Sequence, residues 1–245
     1  MILLKGICNF TYPLFYFSNS WGTDIELDFS KEDIKSKKIR LKRILNALIK
    51  LYPNPKCHLN YNNSLELLIG CILSAQCTDA RVNEVTKHLF KKYKSARAFS
   101  EANREELEND IRSTGFFRNK AKSIINCAKG IEKRHSGYIP KSMEELTDLA
   151  GVGRKTANVV LGNAYGVPAI IVDTHIRRLA GRLYLSNKND PDRIEFDLRE
   201  LVPMERWTFF SLALGDHGRT ICKARKPLCR ECNLSQLCPS ADFSL

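Results

Sequence analysis

Cys222, Cys229, Cys232 and Cys238 stand in a Cys-x6-Cys-x2-Cys-x5-Cys run, with Pro239 directly after the last of them. Four soft thiolates drawn from so short a stretch can close one metal site, so this part of the chain must wrap a common centre. Zinc and a four-iron cluster are both open to such a ligand set. Structural zinc sites usually present two close cysteine pairs, whereas here only Cys229 and Cys232 are close. The uneven spacing and the following proline lean toward iron–sulfur ligation. Two disulfides would satisfy the same residues in a secreted chain, but the rest of the sequence does not read as secreted.

The chain has 245 residues, 43% of them hydrophobic, enough to bury one large core or two small ones. Cys8, Cys57, Cys71, Cys77 and Cys127 are scattered without ligand spacing and bring the cysteine total to nine, an odd number that suits free thiols in a reducing, intracellular compartment. Lys plus Arg exceed Asp plus Glu by 39 to 27, a net charge of +12, which favours a polyanionic partner, with nucleic acid the leading candidate. A merely solvated basic surface is the alternative. The longest apolar runs, over 65–75 and 157–172, are short or broken by glycine and proline, so no membrane span is expected. Residues 1–17 are apolar and aromatic but interrupted by Lys5 and Pro13, and no small-residue cleavage site follows. They read as part of an accessory N-terminal extension, residues 1–35, and not as a signal peptide.

Beyond that extension the pattern is helical almost throughout. From Lys31 to Lys50, apolar Ile34, Ile39, Leu41, Ile44, Leu45 and Leu48 recur between lysines, as on an amphipathic helix. Tyr52-Pro53-Asn54-Pro55 stops it; Ser64 opens a strongly apolar helix to about Gln76, and Thr78 or Asp79 caps another to about Tyr93. Further helices are expected over 96–110, 118–134, 142–149, 154–165, 174–185, 191–202 and 205–215. Period-two alternation is not sustained, so the fold class is all-α.

Ser142-Met143-Glu144-Glu145 fits a capping box for a short helix ending near Leu149. Gly151-Val152-Gly153 then makes a tight hairpin, where glycine permits positive φ and close approach of backbone to a partner. Arg154-Lys155-Thr156-Ala157 starts the next helix at once. Amides exposed at such a helix N-terminus can bind one phosphate of a DNA backbone, making Gly151, Gly153 and Arg154 candidate DNA contacts. Lys155 sits in the first turn, where the positive end of the macrodipole and the neighbouring Arg154 both disfavour a cation. Either the lysine binds phosphate or solvent, or its amine serves as a nucleophile. After Pro168 and Ala169-Ile170-Ile171-Val172 comes Asp173-Thr174-His175. Asp173 can N-cap the helix that follows, or stabilise a sugar cation and shuttle a proton.

Taken together, these residues resemble the endonuclease III family of DNA glycosylase/AP lyases, within the helix-hairpin-helix glycosylase superfamily. The resemblance runs from about residue 36 to 238. It rests on Leu149 to Val160, on Val172-Asp173-Thr174-His175 and on the cysteine spacing, with Leu73-Ser74-Ala75-Gln76 and Gly115-Phe116-Phe117 where the family has its DNA-inserting residues. It implies a two-lobed fold, with a six-helix lobe at 57–167 containing the helix-hairpin-helix at 143–162. An iron–sulfur lobe would be built from 36–56 and 168–245. It further implies that Lys155 attacks C1′ of a damaged nucleotide, that Asp173 is the catalytic carboxylate and that the four cysteines hold a [4Fe-4S] cluster. Gln76 would meet the orphaned base and Phe116 would wedge between base pairs, while Lys223, Arg225 and Lys226 form a basic loop against the DNA backbone.

The implied partner is double-stranded DNA carrying oxidised pyrimidines or abasic sites, acted on by a monomer wherever the cell keeps its DNA, the cytoplasm or nucleoid in a prokaryote. Two positions depart from the family pattern: Phe116 stands where an aliphatic residue is common, and Ala150 where proline is usual. Monofunctional glycosylases of the superfamily generally lack lysine at the position of Lys155. A non-enzymatic iron–sulfur protein would have no use for Lys155 and Asp173 together.

Overall fold

The computed structural model describes residues 32–243. Most of the proposed 1–35 extension therefore lies outside the described residues, and its last two positions already belong to a helix. That helix, α1 (Ile34–Leu51), starts where the Asp33 carboxylate accepts the Ser36 amide at 2.7 Å, three residues later than the lysine pattern implied. It buries Leu41, Ile44, Leu45 and Leu48.

The chain continues through α2 (Ser64–Leu73), α3 (Asp79–Lys92), α4 (Ala96–Ser100), α5 (Arg104–Asp110), α6 (Phe117–His135), α7 (Met143–Thr147) and α8 (Arg154–Ala164). It ends with α9 (Thr174–Arg182), α10 (Pro191–Leu201) and α11 (Trp207–Thr220), and no strand occurs among the described residues. The all-α expectation holds. Asn63, Thr78, Ser95, Asn103 and Ser142 each offer a side-chain oxygen to an amide three residues on, worth about 1 kcal/mol apiece.

Other helix bounds also differ from the periodicity, and α2 stops at Leu73, three residues short of Gln76. The segment 96–110 is two helices, because the Asn103 side chain captures the Glu106 amide and restarts the helix. Residues 174–185 stop at Arg182: Tyr184 turns left-handed (φ 53°) and the Leu185 amide folds back onto Ala180 O at 2.8 Å. At the other extreme, α11 runs to Thr220, past the expected end at 215.

Two hydrophobic clusters organise these helices. One gathers α2 to α8 around Leu67, Leu73, Phe99, Ile111, Ile124 and Val160. The other gathers α1, α9, α10 and α11 around Ile44, Leu48, Leu179, Leu198 and Phe210, with Leu234 and Leu237 from the cysteine-bearing segment. One of the two crossings between them is the stretch 169–172. Its side chains alternate: Ala169 and Ile171 enter the first cluster, Ile170 and Val172 the second. Its amides are held by α11, Ala169 N on Thr208 Oγ1 at 3.2 Å and Ile171 N on Ser211 Oγ at 2.9 Å. This local period of two, too short to read as a strand, delivers Asp173 to the seam between the clusters.

Candidate active site

The hairpin before α8 is closed by the Val152 amide on Leu149 O at 3.1 Å. Gly151 is required there twice over, since its φ is +77° and a Cβ would stand 2.7 Å from Ser123 Cβ. Gly153 needs no such explanation by conformation. It is extended (φ −93°), caps α8, and a Cβ on it would meet open space. What its missing side chain leaves is an unobstructed approach to the first amides of α8. Of the capping box before the hairpin the forward half forms, the Glu145 amide on Ser142 Oγ at 3.2 Å, while the Glu145 carboxylate takes the Ser142 hydroxyl at 2.8 Å in place of its backbone amide.

Lys155, exposed in the first turn of α8, and Asp173, half-buried at the start of α9, line one cleft in the seam. Asp173 Oδ1 accepts the Ile176 amide at 2.8 Å, so the carboxylate caps α9 and is oriented by doing so. The capping and catalytic readings of this residue are thus compatible. The same cleft holds Cys57, Cys71, Ser74, Asp79, Ser211 and Arg219. Burial pushes the thiols of Cys57 and Cys71 up, which keeps them protonated and poorly nucleophilic.

Arg154, expected as a DNA contact, has an acidic partner within the protein. Its guanidinium makes a two-pronged pair with Glu195 of α10, Nε to Oε2 and Nη2 to Oε1 both at 2.7 Å, and lies over the Phe196 ring at 5.0 Å. Glu195, only 2% exposed, also accepts from Asn158 Nδ2 at 2.8 Å. The residue therefore ties α8 to α10 across the seam. Gln76 and Phe116 lie on two exposed turns, both in left-handed backbone (φ 52° and 49°), with Phe116 63% exposed. Such conformations cost about 1–3 kcal/mol in non-glycine residues and persist where function or surrounding structure demands them.

The four C-terminal cysteines are free thiols lining one small apolar cavity with Arg182, Pro227, Leu228 and Ala241. None of the four is paired in a disulfide. Among the described residues no three His, Cys, Asp or Glu side chains converge on a point that would hold a single metal ion. The chemistry of the donors suits a larger, thiolate-ligated group. Arg182 Nη1 donates to Cys222 Sγ at 3.2 Å, His217 Nε2 lies 3.3 Å from Cys232 Sγ, and the Leu234, Ser235 and Ser240 amides face the thiols of Cys232 and Cys238. Sulfurs ringed by N–H donors are stabilised as thiolates. With protein alone around it, burial pushes the Cys238 thiol up to about 12. Lys223, Ala224, Arg225 and Lys226 form an exposed loop between the first two cysteines.

Residues 69–204 match the HhH-GPD superfamily of base excision DNA repair proteins. The chain is 52% identical to endonuclease III of Synechocystis sp. over 210 residues, covering 85% of this chain and 96% of that one. It is 45% identical to endonuclease III of Bacillus subtilis over 204 residues, 82% and 93% of the two chains. The chain belongs to the endonuclease III family. Its fold superposes on a non-covalent endonuclease III–DNA complex with a TM-score of 0.80 at 42% identity, over 83% of this chain and 96% of that one. A thermostable thymine-DNA glycosylase gives 0.75 at 27% identity, over 85% and 99%.

In this family member the seam holds residues that sequence reasoning missed. Asp79 Oδ2 pairs with Arg219 Nη2 at 3.2 Å, and His58 Nε2 with Asp216 Oδ1 at 2.6 Å. Each pair joins a residue on the α2–α8 side to α11, at the rim of the cleft. Asp79 looked like a helix-starting residue and Arg219 like one more surface cation; nothing in their local sequence distinguishes them. No helix among the described residues is long and apolar enough to cross a membrane.

Proposed function

We propose that this chain is a base excision repair DNA glycosylase with AP lyase activity, acting on oxidised pyrimidines in duplex DNA through Lys155. The observation that carries the reading is the meeting of Lys155 and Asp173 in one cleft, delivered by different helices, in a chain of this family. The Cys57 and Cys71 thiols in the same cleft are held protonated by burial and so compete poorly with the amine as nucleophiles.

The extruded nucleotide enters the cleft at a cost of a few kcal/mol, least for a poorly stacked base. The Lys155 amine donates its lone pair to C1′ as the C1′–N bond breaks, and the proton its nitrogen sheds on bonding to carbon goes to the departing base. Asp173, with one oxygen held by the Ile176 amide, stabilises the positive charge on the sugar and moves the proton that opens the ring. The resulting Schiff base withdraws electrons from the C2′–H bond; loss of the C2′ proton expels the 3′ phosphate by β-elimination, and hydrolysis frees Lys155. Gln76 and Phe116, exposed on adjacent turns, fill the space that the nucleotide leaves. The amides after Gly151 and the loop of Lys223, Arg225 and Lys226 hold the phosphate backbone.

Cys222, Cys229, Cys232 and Cys238 would hold the [4Fe-4S] cluster, which supplies a thiolate-bonded cross-link that braces the basic loop. The two clusters of apolar side chains support lobes at 57–167 and at 36–56 with 168–245.

Borohydride added to the protein and a duplex carrying thymine glycol should trap a covalent complex, and Lys155→Ala should trap none. Equal trapping by the variant, or none by wild type, would remove the Schiff-base route.

A further inference from the structure

Lys120 is 5% exposed, and both partners recorded for its ammonium are backbone carbonyls: Leu73 O and Thr114 O, each at 2.8 Å. Leu73 is the last residue of α2, and the turn it opens carries Gln76. Thr114 is the last residue before Gly115 (φ 70°) and Phe116, and the Lys120 amide itself bonds Phe116 O at 3.0 Å. One side chain thus ties together the roots of two separate turns whose tips are exposed and left-handed.

Stability alone explains this placement poorly. A cation in the first turn of α6 opposes that helix's dipole, although the C-terminal carbonyls of α2 offset this in part. Burial also pushes the Lys120 ammonium below its ordinary pKa. An apolar side chain of similar length would avoid both penalties, though it would leave Leu73 O and Thr114 O without the donor that bonds them. What an apolar residue cannot do is bond two carbonyls at once and so hold the two turns at one separation.

We propose that Lys120 is a positioning residue that fixes the spacing of the Gln76 and Phe116 turns, so that the two enter a duplex as one rigid fork. The inference rests on the reading above, in which those turns penetrate DNA. A fork is needed where a base must be parted from its neighbours and its partner; a single-stranded substrate has no partner strand to hold open. Misplacement by about 1 Å can cost on the order of a hundredfold in rate.

The test compares single-turnover cleavage of a duplex carrying thymine glycol with borohydride trapping on a single strand carrying an abasic site. Lys120→Met should lower the duplex rate by about tenfold or more and change single-strand trapping by less than about twofold. Lys120→Arg, which keeps the charge and donors, should recover most of the duplex rate. Should Lys120→Met fail to fold, judged by circular dichroism, Lys120→Gln takes its place, with the same selective loss expected from a side chain that can bond only one carbonyl well. Equal loss on both substrates, or no loss on either, overturns the proposal. Gln76→Ala and Phe116→Ala are measured alongside. If these lower the duplex rate selectively and the Lys120 variants do not, the positioning role alone is wrong; if they leave the ratio unchanged, the turns do not enter DNA and both readings fall.

Discussion

The cleft and the cysteine centre are built in opposite ways. Cys222, Cys229, Cys232 and Cys238 come from one short loop and line a cavity of their own, with Arg182 and His217 reaching in from α9 and α11. The cleft takes Lys155 from α8, Asp173 from α9, Asp79 from α3 and Arg219 from α11, and exists only where the two apolar clusters meet. A locally encoded centre announces itself in sequence; a seam does not. On the proposed reading the comparison also separates what reacts from what holds: the cleft would supply the nucleophile, and the cysteine loop would brace a basic surface.

The sharpest way to break this division is Lys155→Ala. It should lower glycosylase turnover by about a thousandfold or more while leaving melting temperature and visible cluster absorbance at wild-type values, because the side chain is exposed and outside the cysteine cavity. A variant that also lost absorbance would show the two regions to be one unit. Cys229→Ser makes the converse test. Loss of a ligand should abolish the visible absorbance and lower the melting temperature by several degrees, since binding at such a site is coupled to folding of the loop. Retained absorbance would remove Cys229 from the ligand set.

The seam itself can be loosened without touching either centre. Glu195→Gln weakens its pair with Arg154 within a nearly buried network, and chemical denaturation should report a loss of roughly 2–4 kcal/mol. An unchanged midpoint would mean that this link contributes nothing across the seam. Gly151→Val should cost about 1–3 kcal/mol, because φ is +77° and Ser123 blocks the new side chain; Gly153→Val, at an extended position facing open space, should cost far less. Equal losses would contradict the assignment of conformational need to Gly151 alone.

The smallest effect is expected at the loop. Lys223→Ala with Lys226→Ala should weaken binding to undamaged duplex severalfold and flatten its salt dependence by up to about two in log–log slope, measured by fluorescence anisotropy, with cluster absorbance intact.

The helical fold was legible because its signals are local. Apolar spacing and caps such as Thr78, Ser142 and Asp173 depend on neighbours within a turn or two, and the helices begin close to where those residues stand. The bounds that differed were set at longer range or by a competing cap, as at Asn103, which captures Glu106 and divides one expected helix into two. Arg154 shows the limit most clearly. Sequence placed it beside Lys155 as a phosphate contact, while the fold brings Glu195 from α10 to its guanidinium. Asp79, Arg219, His58 and Asp216 carry no local mark at all, since an ion pair across a seam has no periodicity or spacing by which to be read.

By itself, then, the sequence determined the elements, the glycine hairpin, the clustered thiols and, through their order along the chain, the family. Only the tertiary structure decided that Lys155 and Asp173 share a cleft and that Lys120 joins the Gln76 and Phe116 turns. The physical reason is one of range. Helix propensity and capping act over a few residues, whereas the cleft depends on side chains of 169–172 alternating between two separate cores, an outcome that forms only when both cores pack.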